Sequence, residues 1–97
     1  MPASQEIIDA RQTEVDQYDL NIVLYQTILA ALPTEWPARL AQFQGRKDHQ
    51  QAVAEVDDLD DVELLSQLLY ADQVKASIRA EKLERTKAAA ILAALKA

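Results

Sequence analysis

The chain contains no cysteine, and its 97 residues include only one glycine, one histidine, one asparagine and three prolines. Without cysteine there is no disulfide, no thiol nucleophile and no cysteine-ligated metal site. Sheet proteins use glycine, proline and asparagine in their many turns, so this composition argues against a sheet. The abundance of alanine, leucine, glutamine, glutamate and lysine instead predicts an all-α fold.

Long apolar runs are also missing. The longest, residues 28–33, is far too short to cross a bilayer, and the acidic start of the chain lacks the basic and apolar parts of a secretory signal. A length of 97 residues fits one domain with a modest core. We therefore expect a single helical domain over residues 1–97, in a soluble, cytoplasmic protein that has no membrane partner.

The net charge of −6 is unevenly distributed along the chain. Residues 1–72 carry fourteen acidic and four basic side chains, whereas residues 73–97 carry six basic and two acidic ones. An acidic body repels phosphate backbones, which argues against a nucleic-acid partner. The basic face of the last helix keeps a nucleic-acid-associated protein open as one alternative; it consists of Lys75, Arg79, Lys82 and Arg85.

A long first helix is predicted between Ser4, a good N-cap, and Pro33, which disfavours helical geometry in the residue before it. Apolar residues recur in it at a spacing of seven residues and then at alternating spacings of three and four. Arg11 occupies the one position that breaks this pattern. This stripe consists of Ile8, Val15, Tyr18, Ile22, Tyr25, Leu29 and Leu32. The spacing is that of a helix face that packs on another helix.

A second set of apolar residues lies off this stripe, in the later part of the same helix. It consists of Leu20, Val23, Leu24 and Ile28. A helix that is apolar on most sides belongs at the centre of a bundle or in an interface between chains. We therefore predict that these four residues form an interface, in a homodimer or with another helical protein.

The middle of the chain holds the clearest turn, around Pro33. Thr34 is a candidate cap for a short helix over about residues 35–44, and Gly45 is a natural stop for it. Asp48 has capping-box spacing to a glutamine three residues later, so a brief helical stretch is expected there.

The last helix is predicted to begin near residue 61 and to run to about 95. Asp60 and Glu63 have the spacing of a capping box, and no later proline or glycine stops the helix. Whether this helix is continuous or broken near residue 72 stays open. The predicted fold is a small helical bundle of two long antiparallel helices with one or two short connecting helices in residues 34–60.

The acidic run at residues 55–63 is the strongest candidate for chemistry. Glu55 and Asp58 are three residues apart, as are Asp60 and Glu63, and the first helix repeats this spacing in Glu6 with Asp9 and Asp16 with Asp19. Two helices that each carry such a pair could hold Mg²⁺ against a pyrophosphate. This spacing, and nothing more, resembles the all-α nucleotide pyrophosphohydrolases of the MazG type. Helix capping explains the same acids without a metal, so an Mg²⁺-dependent pyrophosphohydrolase is kept as an alternative.

Two smaller features have simpler explanations. His49 has no second histidine or shaped nucleophile near it in sequence, so a surface position at a helix start is favoured over catalysis. Tyr18, Tyr25 and Trp36 could line a ligand pocket, but their apolar neighbours favour a core. We therefore expect no catalytic residue, cofactor or metal, and a non-catalytic, acidic helical module for interaction, assembly or regulation.

Overall fold

The computed structural model of the chain describes residues 4–97, which form helices joined by short connections. In chain order they are α1 (Gln5–Ala30), a 3-10 helix (Ala38–Phe43), α2 (His49–Ala54) and α3 (Leu59–Lys96). No strand occurs in residues 4–97, and α1 packs along α3. The predicted all-α bundle of two long helices with short connecting helices is therefore confirmed. None of these helices is both long and apolar enough to cross a membrane.

The start of α1 is as predicted, and its end is slightly earlier. The Ser4 hydroxyl accepts a hydrogen bond from the backbone N–H of Ile7 at 3.4 Å, which satisfies one of the free donors of the first turn. The helix ends at Ala30, because the next two residues tighten into a turn ahead of Pro33. The N–H of Leu32 there donates to the carbonyl of Leu29 at 3.1 Å.

The middle segment differs from the prediction in its first helix. The 3-10 helix begins after Pro37 and no side chain caps it, so the predicted cap at Thr34 is wrong. Residues that precede a proline prefer extended geometry, and Trp36 lies directly before Pro37. Gly45 follows this helix with a φ of +85°, a conformation that favours glycine.

α3 begins earlier than predicted and is continuous. Its N-cap is Asp58, whose carboxylate accepts hydrogen bonds from the N–H groups of Asp60 and Asp61 at 2.9 and 3.2 Å. The predicted cap at Asp60 is therefore wrong, because Asp60 already lies in the first turn. The helix runs unbroken from Leu59 to Lys96, through residue 72.

Two separate apolar clusters lie along α3. The first joins the connecting segment to the beginning of α3 and is built from Leu40, Phe43, Ala52, Leu65, Leu68 and Leu69. The second joins α1 to the end of α3 through Val15, Ala88 and Leu92. The molecule is consequently elongated, measuring 64 × 21 × 18 Å, since α3 alone is about 57 Å long.

The contacts between the long helices show that they are antiparallel. Asn21 bonds to Glu81, Asp19 bonds to Arg85, and Val15 packs near Leu92. Residues earlier in α1 thus contact residues later in α3. The predicted stripe is the least exposed side of α1: Val15 is buried and the remaining apolar stripe residues are half-buried.

Candidate interaction surface

The four predicted interface residues are all exposed. Their exposed fractions are 51% for Leu20, 56% for Val23, 53% for Leu24 and 37% for Ile28. Spacings of three, four and eight residues place them on one side of a helix. We call this set the outer face of α1. The structure thus brings the four residues together at the surface, while their role as an interface stays a prediction.

The outer face is continuous and uncharged. Thr27 and Ala31 extend the same helical spacing, so the face covers residues 20–31, about 16 Å of helix. No residue from 20 to 34 carries a charged side chain, although the chain as a whole is 27% charged. Two helices of this kind can approach closely without burying an unpaired charge.

No part of the described chain covers the outer face. The half-buried side of α1 that carries Ile22, Tyr25 and Leu29 is the one packed along α3. The connecting segment is occupied elsewhere, since Leu40 and Phe43 pack in the first cluster. The later half of α1 is therefore apolar on two sides, and one of them stays in contact with solvent.

The outer face has a sharp polar boundary towards the start of α1. The positions that precede Leu20 by one and two turns on the same side are Asp16, Gln17 and Thr13. All three are exposed, and they make hydrogen bonds within the helix. The change from polar to apolar occurs within one turn, so the outer face is a bounded patch.

Two of the four predicted acids, Glu55 and Asp58, serve local structure. Glu55 forms an ion pair with Arg46 at 3.1 Å, and Asp58 accepts the two backbone hydrogen bonds that cap α3. Asp60 and Glu63 are exposed on the first turns of α3. Within residues 4–97, no group of three or more histidine, aspartate or glutamate side chains is arranged to hold a metal ion. The structure thus does not gather the four predicted acids into such a group.

The other sequence candidates are also dispersed. Trp36 packs against the first cluster and Tyr18 against the second, so the aromatic residues do not share a pocket. On the basic face of α3, Arg85 pairs with Asp19 at 2.9 Å. His49 does not lie fully at the surface as predicted, because its Nε2 atom is buried at the start of α2.

Residues 4–97 also form open grooves that no pattern in the sequence indicates. One, of about 550 Å³, lies between α1 and α3 beside Tyr18; two ion pairs line it, Arg11 with Glu14 and Lys87 with Glu84. Another, of about 560 Å³, lies between the loop before α2 and α3. In comparisons with protein-family models, curated proteins and solved structures, nothing matches this chain.

Proposed function

We propose that this protein is a helical interaction and assembly module, and that it pairs with a second copy of itself through the outer face of α1. The observation that carries the proposal is the exposure of Leu20, Val23 and Leu24, each more than half exposed on one uncharged surface. Contiguous exposed apolar patches on a folded domain commonly mark binding surfaces.

A second copy is the occupant that best fits the chemistry of this face. A twofold axis brings the same patch of two protomers together, so the patch has to be complementary to itself. An uncharged strip meets this condition, because neither copy presents a charge for which the other lacks a partner. The small side chains of Thr27 and Ala31 also allow the two helices to approach closely.

The charge distribution favours an antiparallel pair of α1 helices. Before Leu20, α1 carries five acidic side chains and only one basic one, Arg11. In a parallel pair these acidic halves would lie side by side and repel each other. An antiparallel pair centred on Leu24 separates them and brings Leu20 of one protomer close to Ile28 of its partner.

The proposal is tested by sedimentation equilibrium of the wild type beside a Leu20→Glu, Leu24→Glu variant. Full burial of a leucine contributes roughly 1.5–3 kcal/mol, and about half of that is still to be gained at Leu20 and Leu24, which are 51% and 53% exposed. The double variant should therefore weaken the dimer by about a hundredfold or more. Leu83→Glu is the matched control, because Leu83 is 56% exposed on α3 and lies outside the outer face.

The proposal requires a wild type that dimerises in the micromolar range and a Leu83→Glu variant that dimerises equally well. A wild type that stays monomeric at high micromolar concentration would contradict it. Equal weakening by the control and the double variant would show that the contact is not specific to the outer face.

A further inference from the structure

The groove between the loop before α2 and the middle of α3 is lined by charged and polar residues together with the apolar Leu69 and Ala76. The loop side contributes Arg46, Lys47 and His49, and the α3 side contributes Asp72 and Arg79. Thus two elements that are far apart in sequence bring three cationic side chains around one space of about 560 Å³. We call it the basic groove.

In the described part of the chain, two of these cations form no ion pair with a carboxylate. Although acidic residues outnumber basic ones by sixteen to ten, neither Lys47 nor Arg79 forms an ion pair within residues 4–97. Arg46 pairs with Glu55 at 3.1 Å, and Asp72 lies 4.0 Å from Lys75. The groove therefore holds two cations without an ion pair, beside one carboxylate, that of Asp72, which also lines it.

His49 adds a polar atom that lacks a hydrogen bond. Its Nε2 is the one buried side-chain nitrogen or oxygen in the described part of the chain that has no partner. Each nitrogen of a neutral imidazole either donates or accepts a hydrogen bond, and a buried polar atom without a partner is destabilising. Because Nε2 is shielded from solvent, a ligand in the open groove does not reach this atom, and ligand binding depends on the cations.

From these features we infer that the basic groove binds a phosphate group, either as inorganic phosphate or as the monoester of a small molecule. Lys47 and Arg79 line the same groove from two elements, and both have long, flexible side chains that can turn towards one ligand. A phosphate monoester carries about 1.5 to 2 negative charges at neutral pH, more than a monocarboxylate, and so can interact favourably with both cations. A monocarboxylate would neutralise only one of them. The planar guanidinium of Arg79 suits phosphate oxygens.

The test is a titration of ¹⁵N-labelled protein, followed by amide chemical shifts. The probes are inorganic phosphate and glycerol 2-phosphate, with acetate at equal ionic strength for comparison. Both phosphates should give saturable shifts at residues 45–49 and along the facing part of α3. Tighter binding of glycerol 2-phosphate would identify the ligand as an organic monoester, and tighter binding of inorganic phosphate would identify the free ion.

A Lys47→Gln, Arg79→Gln variant should bind phosphate about tenfold more weakly or worse, because both charge-assisted contacts are lost. Both side chains are exposed, so the variant keeps the fold. The matched control is Lys82→Gln with Lys96→Gln, which removes two other cations that lack ion pairs in the described residues. Shifts that do not saturate, equal binding of acetate, or equal weakening in the control would each overturn the assignment.

Discussion

Asn21 of α1 donates a hydrogen bond from its Nδ2 atom to Oε2 of Glu81 on α3, at 3.1 Å and across 60 residues of sequence. The side-chain oxygen of Asn21 also accepts a hydrogen bond from Gln17 at 2.9 Å. The asparagine is thus bonded on both sides in a stretch that is otherwise mostly apolar. A polar contact of this kind fixes the register between two helices.

We expect the contact between Asn21 and Glu81 to contribute more to stability than the more exposed ion pair between Asp19 and Arg85. Charge-assisted hydrogen bonds that are partly buried are stronger than exposed ion pairs, which contribute about 0.2–1 kcal/mol. Double-mutant cycles to alanine, measured by urea unfolding, give both coupling energies. A larger coupling energy for Asp19 with Arg85 would contradict this ranking.

The first apolar cluster should dominate the stability of the chain. Leu68 is fully buried in it, so Leu68→Ala should lower the free energy of unfolding by about 2–5 kcal/mol. Leu83 is the matched residue on the same helix, but it is 56% exposed, and Leu83→Ala should change that free energy by less than about 0.5 kcal/mol. Chemical denaturation of both variants checks the contrast, and similar losses would refute it.

Asp58, and not Asp60, should be the N-cap residue that stabilises α3. Asp58→Ala removes two hydrogen bonds to the backbone of the first turn and should cost about 0.5–2 kcal/mol. Asp60→Ala removes only a favourable interaction with the helix dipole and should cost less. Thermal unfolding of the two variants decides between them, and a greater loss for Asp60→Ala would restore the cap predicted from sequence.

We predict that Mg²⁺, Mn²⁺ and Ca²⁺ do not bind specifically to the acidic run. A specific metal at 100 times its Kd would add about 2.7 kcal/mol to the free energy of unfolding, which thermal unfolding detects readily. Stabilisation at micromolar metal that is lost in a Glu55→Gln, Asp58→Asn variant would contradict the prediction. Asn is as good an N-cap as Asp, so this variant tests metal binding without removing the cap.

The helices were predictable because the signals that specify them are local. Repeating apolar residues placed α1 and gave the side that packs on α3, and the same spacing placed Leu20 and Ile28 on another side. The cap of α3 was harder to predict, because several acids stand close together before this helix and more than one has suitable spacing. Only the backbone conformation shows that Asp58 is the residue whose carboxylate reaches the free N–H groups.

The long-range features could not be predicted in this way. The basic groove combines Lys47 with Arg79, and only the path of residues 31–58 brings them to the same space. Nor does any sequence pattern indicate that the apolar residues divide into two clusters along α3. That division depends on where the connecting segment lies. Pro33 and Pro37 restrict the backbone of this segment, but they do not determine its position against α3.

Pairing of two copies through the outer face can be observed in an isotope-filtered NOE experiment on a mixture of ¹³C-labelled and unlabelled protein. It detects only contacts between different protomers. Antiparallel pairing through the outer face predicts cross-peaks between the methyl groups of Leu20 of one protomer and Ile28 of its partner. No cross-peak between protomers at high micromolar concentration, or cross-peaks only from Leu83 and Ile91 on α3, would contradict the account.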